Sequence, residues 1–180
     1  MQGVSDDEIK QRVVDQKLFQ YPSPTNLRRI AQVCLVRLDA FEAGVPNVAQ
    51  RLTNIVANGM AEESAQANMY AMMLLYPLLQ KFMLEEIAER LRQGAASYTR
   101  ADLNAFFTRI QVEDANAVWA ESTEKRIKST LVNCLVQTGY LSSRTSTQLQ
   151  NPLLNSQVKA CIEANGHAQL LPAFGEWGVR

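Results

Sequence analysis

The segment Ser122–Leu141, STEKRIKSTLVNCLVQTGYL, constrains the fold of this chain more than any other stretch. Its apolar residues recur at helical spacing, and Gly139 then supplies a left-handed residue that ends the helix. Ser122 is the predicted N-cap, because its hydroxyl can accept from the first N–H groups of the helix. The stretch Tyr140–Gln150, rich in Ser and Thr, predicts a short β-hairpin. The predicted order of elements is a helix, a short helix at Ala115–Trp119, a longer helix and a hairpin. This is the order of a winged-helix domain.

The other face of this predicted helix has side chains that suit phosphates and base edges. We expect Asn133 and Arg126 to be the direct base readers and the remaining cations to contact the DNA backbone. The candidate DNA-binding residues here are Lys125, Arg126, Ser129 and Asn133, with Lys128 at the flank and Arg144 near the tip of the hairpin.

Charge is unevenly distributed along a chain that is neutral overall, with 18 basic and 18 acidic residues. No Asp or Glu occurs from Lys125 to Ile162, nor from Gln16 to Leu38. The second stretch places Arg28 and Arg29 in the first turn of a helix that Thr25 is predicted to cap, and they are candidates for a second DNA-backbone contact. Segregated charges give a neutral protein a positive face. The alternative is that these are ordinary solvated helix faces.

Composition predicts a mainly α protein, since aromatic residues are few and strong helix formers are common. Capping residues predict helix starts at Ser5, Thr99 and Asn155, and Pro77 is predicted to split a long helical stretch. The small, unpatterned Gly94–Ser97 stretch predicts a boundary between a helical N-terminal lobe, 1–96, and a winged-helix-like C-terminal lobe, 97–180. The N-terminal helices are compatible with a helix-turn-helix of their own and equally with a buttress for the second lobe.

Enzymatic, metal-binding and membrane functions find no support in the residues. The chain has one histidine, His167, and its three cysteines have no metal-ligand spacing. It has neither a phosphate-cradling glycine loop nor a nucleophile elbow. The most apolar run, Met69–Leu79, is far shorter than the roughly 20 residues of a spanning helix, and a signal peptide is not evident. We therefore predict a cytoplasmic, non-enzymatic protein without a metal, a cofactor, a small-molecule substrate or a membrane partner.

Several short motifs resemble one known family in their order and spacing. They are SPTNLRRI at 23–30, WAESTEKR at 119–126, GYL at 139–141, LQNPL at 149–153 and LPAF at 171–174. Together they resemble the BrxA family, a small component of bacteriophage-exclusion (BREX) defence systems. The resemblance implies a non-enzymatic accessory of a system that distinguishes self DNA by methylation and blocks phage replication. It also implies other BREX subunits as partners, among them those responsible for methylation and ATP hydrolysis.

Three functions follow from these observations as hypotheses. The first is binding of double-stranded DNA with low sequence specificity, through the residues named above. The second is a protein–protein interaction module that assembles the defence complex, in which the acid-free faces meet acidic surfaces of partner subunits. The third is an RNA-binding, antitermination-like factor, although the sequence lacks the aromatic platforms that such proteins often use.

Overall fold

The computed structural model describes residues 4–42 and 45–177, and within them all the regular secondary structure is helical, apart from one isolated β-bridge. Gly44, which the sequence predicts to end a helix, lies outside the described residues. The α-helices are α1 (Asp6–Asp15), α2 (Pro24–Glu42), α3 (Pro46–Asn58), α4 (Ala61–Leu75), α5 (Pro77–Lys81), α6 (Glu89–Arg92), α7 (Arg100–Glu113), α8 (Glu121–Gln137) and α9 (Ser156–Ala164). A π-helical segment, Phe82–Ala88, joins α5 to α6, and a 3₁₀ helix, Ala168–Phe174, follows α9.

Most of the predicted helix starts are confirmed by side-chain hydrogen bonds. Ser5 and Glu8 form a capping box at α1, and Thr99 and Asp102 form another at α7. The Asn155 side chain accepts from two backbone N–H groups in the first turn of α9. The predicted N-cap of α2, Thr25, is wrong, because the helix already begins at Pro24. Proline suits this position, since the first N–H groups of a helix have no acceptor within the helix and proline lacks an N–H.

The core is organised around α4, whose residues are buried on almost every side. Met69, Tyr70 and Met73 are each at most 1% exposed, and α4 packs against α2, α3, α5, α8 and α9. Pro77 ends this helix as predicted and becomes the first residue of α5. One apolar cluster extends from Phe41 on α2 to Phe174 in the 3₁₀ helix.

The cluster contains residues from both predicted lobes. The division of the chain at 96/97 stays a prediction. None of the helices in the described ranges combines the length and the apolar character needed to cross a membrane.

The predicted β-hairpin, and with it the winged-helix-like C-terminal lobe, is wrong. Residues 4–42 and 45–177 contain no strand, and their one bridge pairs Ser97 with Gln148 in antiparallel fashion. Tyr98 N donates to Thr147 O at 2.8 Å, so the segment after the turn pairs mainly with the stretch before α7. Ser and Thr side chains bend residues 142–146 into local turns, as when Ser146 N donates to Ser143 Oγ at 3.1 Å. Such local bonds compete with a strand ladder.

The connection between α7 and α8 also differs from the prediction. The expected short helix at Ala115–Trp119 is wrong, because Asp114 accepts the N–H of Asn116 at 2.8 Å and closes an Asx-type turn instead. The predicted N-cap of α8, Ser122, lies inside the helix, since α8 begins at Glu121 after Ala120. The two helices are thus joined by a turn of irregular backbone.

Two buried tyrosines provide a test of the core hydrogen bonds. The Tyr140 hydroxyl donates to the Ala173 carbonyl oxygen at 2.7 Å, whereas the Tyr98 hydroxyl is buried without a partner among the described residues. We expect Tyr140→Phe to lower the free energy of unfolding by about 1–3 kcal/mol, because it leaves a buried acceptor unsatisfied. Tyr98→Phe should be neutral or stabilising. Urea unfolding of both variants checks this, and equal losses would contradict it.

Asp102 provides a test by pH. Its carboxylate accepts from Thr99, whose side-chain and backbone hydrogen bonds lower the pKa of Asp102 below 3.8, and it also pairs with Arg90 at 2.8 Å. A carboxyl whose folded pKa is lowered contributes stability that is complete above its unfolded pKa and is lost as pH falls through the folded pKa. We expect Asp102→Asn to cost about 1 kcal/mol at neutral pH. The difference from wild type in unfolding free energy should shrink below pH 3.8, and a constant difference would contradict the assignment.

Candidate nucleic-acid interface

Helix α8 has one face anchored in the core and another open to solvent. Leu131 and Leu135 are buried, and Ile127 packs against the same cluster. Acidic residues in its first turn, Glu121 and Glu124, favour the helix dipole. This anchoring directs a polar face outward as the sequence predicted, with Lys125, Arg126 and Asn133 exposed and Ser129 half-buried among them.

The two cations on the outward face of α8 form no ion pair within the described residues. Neither Lys125 nor Arg126 has a carboxylate within 4.0 Å among residues 4–42 and 45–177, the range in which ion pairs are defined. Cations without a carboxylate partner can bind external phosphates without first breaking an ion pair. Asn133 adds an amide that can both donate and accept, one helical turn beyond Ser129.

Lys128 differs from its neighbours because it is tethered within the protein. Its ammonium lies 2.8 Å from Asn104 Oδ1, pairs with Glu124, and stands 4.8 Å from the centre of the Phe107 ring. The hydrogen bond from Lys128 is also the main reason that the pKa of Glu124 is lowered. Lys128 therefore braces α8 against α7, and of the candidate cations on α8 it is the one least available to a ligand.

Arg144 lies beside α8, but it is not at the tip of a β-hairpin as the sequence predicted. It belongs to a turn instead of a hairpin tip, and its guanidinium donates to the Ser129 hydroxyl. This contact brings the 142–146 turn beside α8 and closes a groove of about 800 Å³ between the turn, α7 and α8. The cations along this groove are Arg100, Lys125, Lys128 and Arg144, and the carboxylates are Glu121 and Glu124.

Arg100 was missed by the sequence analysis. It is the first residue of α7, it is exposed, and it has no ion-pair partner in the described part of the chain. A basic residue in a first turn opposes the helix dipole. Arg28 and Arg29 were selected as cations in the first turn of a helix, and the same position at the start of α7 could have identified Arg100.

Arg28 and Arg29 lie in a separate cluster from the α8 residues. Both are exposed on α2, and they line a shallow pocket of about 490 Å³ together with Asp7, Lys10 and Gln32 on α1 and α2. Arg28 donates to Gln11 Oε1 at 2.6 Å, and Asp7 pairs with Lys10 at 2.7 Å. The nearby carboxylate of Asp7 and the hydrogen bond that holds Arg28 both reduce the availability of this cluster to an external anion.

The described residues contain no cluster of side chains suited to bind a metal ion. No group of three or more His, Cys, Asp or Glu side chains among them is arranged to hold a metal ion. The histidine, His167, has its Nδ1 2.7 Å from the Tyr70 hydroxyl and is thereby part of the packing between α4 and the segment after α9.

Comparison with known proteins shows similarity along most of the chain. A BREX protein BrxA from Bacillus cereus (strain H3081.97) is 27% identical over 166 residues, which cover 91% of this chain and 80% of that protein. A BREX protein BrxA from Escherichia coli O9:H4 (strain HS) is 22% identical over 163 residues, covering 90% and 73%.

The fold is similar to that of a solved structure. A crystal structure of an uncharacterized protein from Magnetospirillum magneticum superimposes with a TM-score of 0.73 at 20% identity, and the match covers 96% of this chain and 85% of that one. Finally, the model of the family described as BrxA matches residues 1–166. The chain therefore belongs to the BrxA family.

Proposed function

We propose that this protein is an accessory component of a BREX phage-defence system that binds duplex DNA through the outward face of α8. The BREX role follows from family membership and from the names of the similar proteins. The observation on which DNA binding depends is a solvent-facing helix with Lys125, Arg126, Ser129 and Asn133 together and no carboxylate paired to its two cations in the described residues.

The geometry of this face suits the major groove of duplex DNA. An α-helix fits a groove about 12 Å wide, and α8 presents its polar side chains along successive turns. Arg144 and Arg100 both line the adjoining cavity, where they would meet flanking phosphates. Most of these groups are phosphate contacts, and only Asn133 and Arg126 suit base edges, so binding with low sequence specificity is expected. Arg28 and Arg29 would then be an auxiliary contact.

The proposed role requires no catalytic step from this chain. Binding, in this account, is its whole contribution, and any methylation or ATP hydrolysis is done by other BREX subunits. The protein would contribute electrostatic affinity for duplex DNA to the complex. This affinity falls steeply as the salt concentration rises, because the release of cations from DNA drives the association.

The test is a titration of fluorescent duplex DNA by anisotropy at several salt concentrations. We expect Lys125→Gln combined with Arg144→Gln to weaken binding at low salt. It should also make the negative slope of log K against log[salt] shallower by about 2, since each phosphate contact contributes about 0.9 to the magnitude of that slope. An RNA of equal length serves as the competitor, and a preference for RNA would contradict duplex recognition.

A matched control separates a local contact from a change in net charge. Arg12→Gln combined with Arg51→Gln removes the same charge from exposed arginines on α1 and on α3, which packs against α2, α4 and α9. Wild-type affinity and slope are expected for this control. Equal weakening in both double variants would show that only net charge matters and would contradict an α8 interface.

A further inference from the structure

An apolar groove lies on the flank of α8 opposite the Arg144 turn. It runs between α2, the junction of α4 and α5, and α8, and it has a volume of about 670 Å³. Its walls include Val33, Tyr76, Leu78, Trp119 and Ile127. Val33 and Tyr76 are 37% and 42% exposed, which is unusual for large apolar side chains on one concave surface. We call it the α2–α8 groove.

Arg37 is a charged side chain within this apolar groove that lacks a charged partner. Its Nη1 donates to Asn68 Oδ1 at 3.1 Å, but its Nε is buried and makes no hydrogen bond with any described residue. No carboxylate of residues 4–42 and 45–177 lies within 4.0 Å of the guanidinium. A buried donor without an acceptor is costly, and Arg is suited to pairing a carboxylate through two parallel N–H groups.

We propose that the α2–α8 groove binds an apolar segment of a partner protein that presents a carboxylate to Arg37. The apolar walls match apolar side chains, and one carboxylate at the head group would neutralise the charge of Arg37. It would also satisfy the buried Nε if the side chain turns toward the groove on binding. Arg126 on the α8 wall has no carboxylate partner in the described residues either, which adds to the preference for an acidic occupant. The groove volume fits a few side chains, as when an amphipathic helix lays one face into a groove.

This site is separate from the proposed DNA interface except at Arg126, which lines the groove and also belongs to the outward face of α8. Arg37 lies on α2 and takes no part in the outward face of α8, and the apolar walls offer nothing to a phosphate backbone. The α2–α8 groove would let one helix, α8, hold DNA on its outer face while a partner segment docks on its flank. The proposal therefore adds a protein partner of stated chemistry to a DNA-binding component.

The experiment begins with a displayed library of helical peptides that have a randomised apolar face and one randomised polar position, selected on the full chain. Enriched peptides are synthesised in two forms, with Glu or with Gln at the polar position. Their affinities are then measured by fluorescence anisotropy for wild type, Arg37→Met and the matched control Arg51→Met. Met preserves most of the aliphatic length of Arg, so the variant removes the charge and the donors while largely keeping the packing.

The expected result is enrichment of Asp or Glu at the polar position and a coupled loss of affinity. The Glu peptide should bind wild type and Arg51→Met at least tenfold more tightly than the Gln peptide, and Arg37→Met should abolish that difference. DNA affinity of Arg37→Met should equal that of wild type. The double-mutant cycle isolates the pairing of Arg37 with the carboxylate from any effect on folding.

Three outcomes would overturn the proposal. One is that no peptide is enriched, and another is that enriched peptides show no acidic preference or bind Arg37→Met equally well. The third is a dimer, seen by sedimentation, that Arg37→Met dissociates, which would assign the groove to a second copy of the chain.

Discussion

Helix α4 packs against α2, α3, α5, α8 and α9, so the other elements are arranged around its side chains. Two of its side chains with polar groups, Gln66 and Tyr70, are buried among the apolar ones, and each needs a partner. Gln66, 5% exposed, donates to the Leu153 carbonyl at 2.9 Å and accepts from Asn155 N at 2.9 Å. The Tyr70 hydroxyl accepts from Asn165 Nδ2 at 3.1 Å, which leaves its proton for His167 Nδ1. The central helix is therefore completed by residues far along the chain, and this fixes the C-terminal segment against it.

The sequence predicted those features that local chemistry determines. The capping boxes at Ser5 and Thr99, the helix break at Pro77 and the left-handed Gly139, whose φ is 82°, depend on neighbours in the chain and are confirmed. The polar face of α8 was predicted because a helical period is readable from the order of apolar and polar residues along the chain. The pairing of Tyr98 with Thr147 joins distant segments, which no local pattern reveals, and hence the hairpin expected at Tyr140–Gln150 was wrong. Arg37 was visible only as one more cation, since its missing partner is a property of three packed helices.

Charge pairing decides which cations are available to ligands. Lys81 pairs with Glu113 at 2.6 Å, and Arg109 pairs with Glu86 at 2.7 Å and with Glu85 at 3.3 Å. The hydrogen bond from Lys81 is the main reason that the pKa of Glu113 is lowered. The pairs of Lys81 with Glu113 and of Arg109 with Glu85 are solvent-exposed and contribute little to stability, so their chief effect is to neutralise one surface. On α8, by contrast, Lys128 is paired with Glu124, but Lys125 and Arg126 have no carboxylate within 4.0 Å in the described residues. A chain with no net charge can thereby present a positive surface.

Duplex DNA is expected to lie on the outward face of α8, and lysine acetylation footprinting measures this contact one lysine at a time. The chain offers internal references, because Lys81 and Lys159 are paired with Glu113 and Glu176 at 2.6 Å on other elements. Mass spectrometry of protein acetylated with and without duplex DNA should show Lys125 protected by DNA and the two reference lysines unchanged. Protection at the references with Lys125 still reactive, or no DNA-dependent protection at any lysine, would contradict the account.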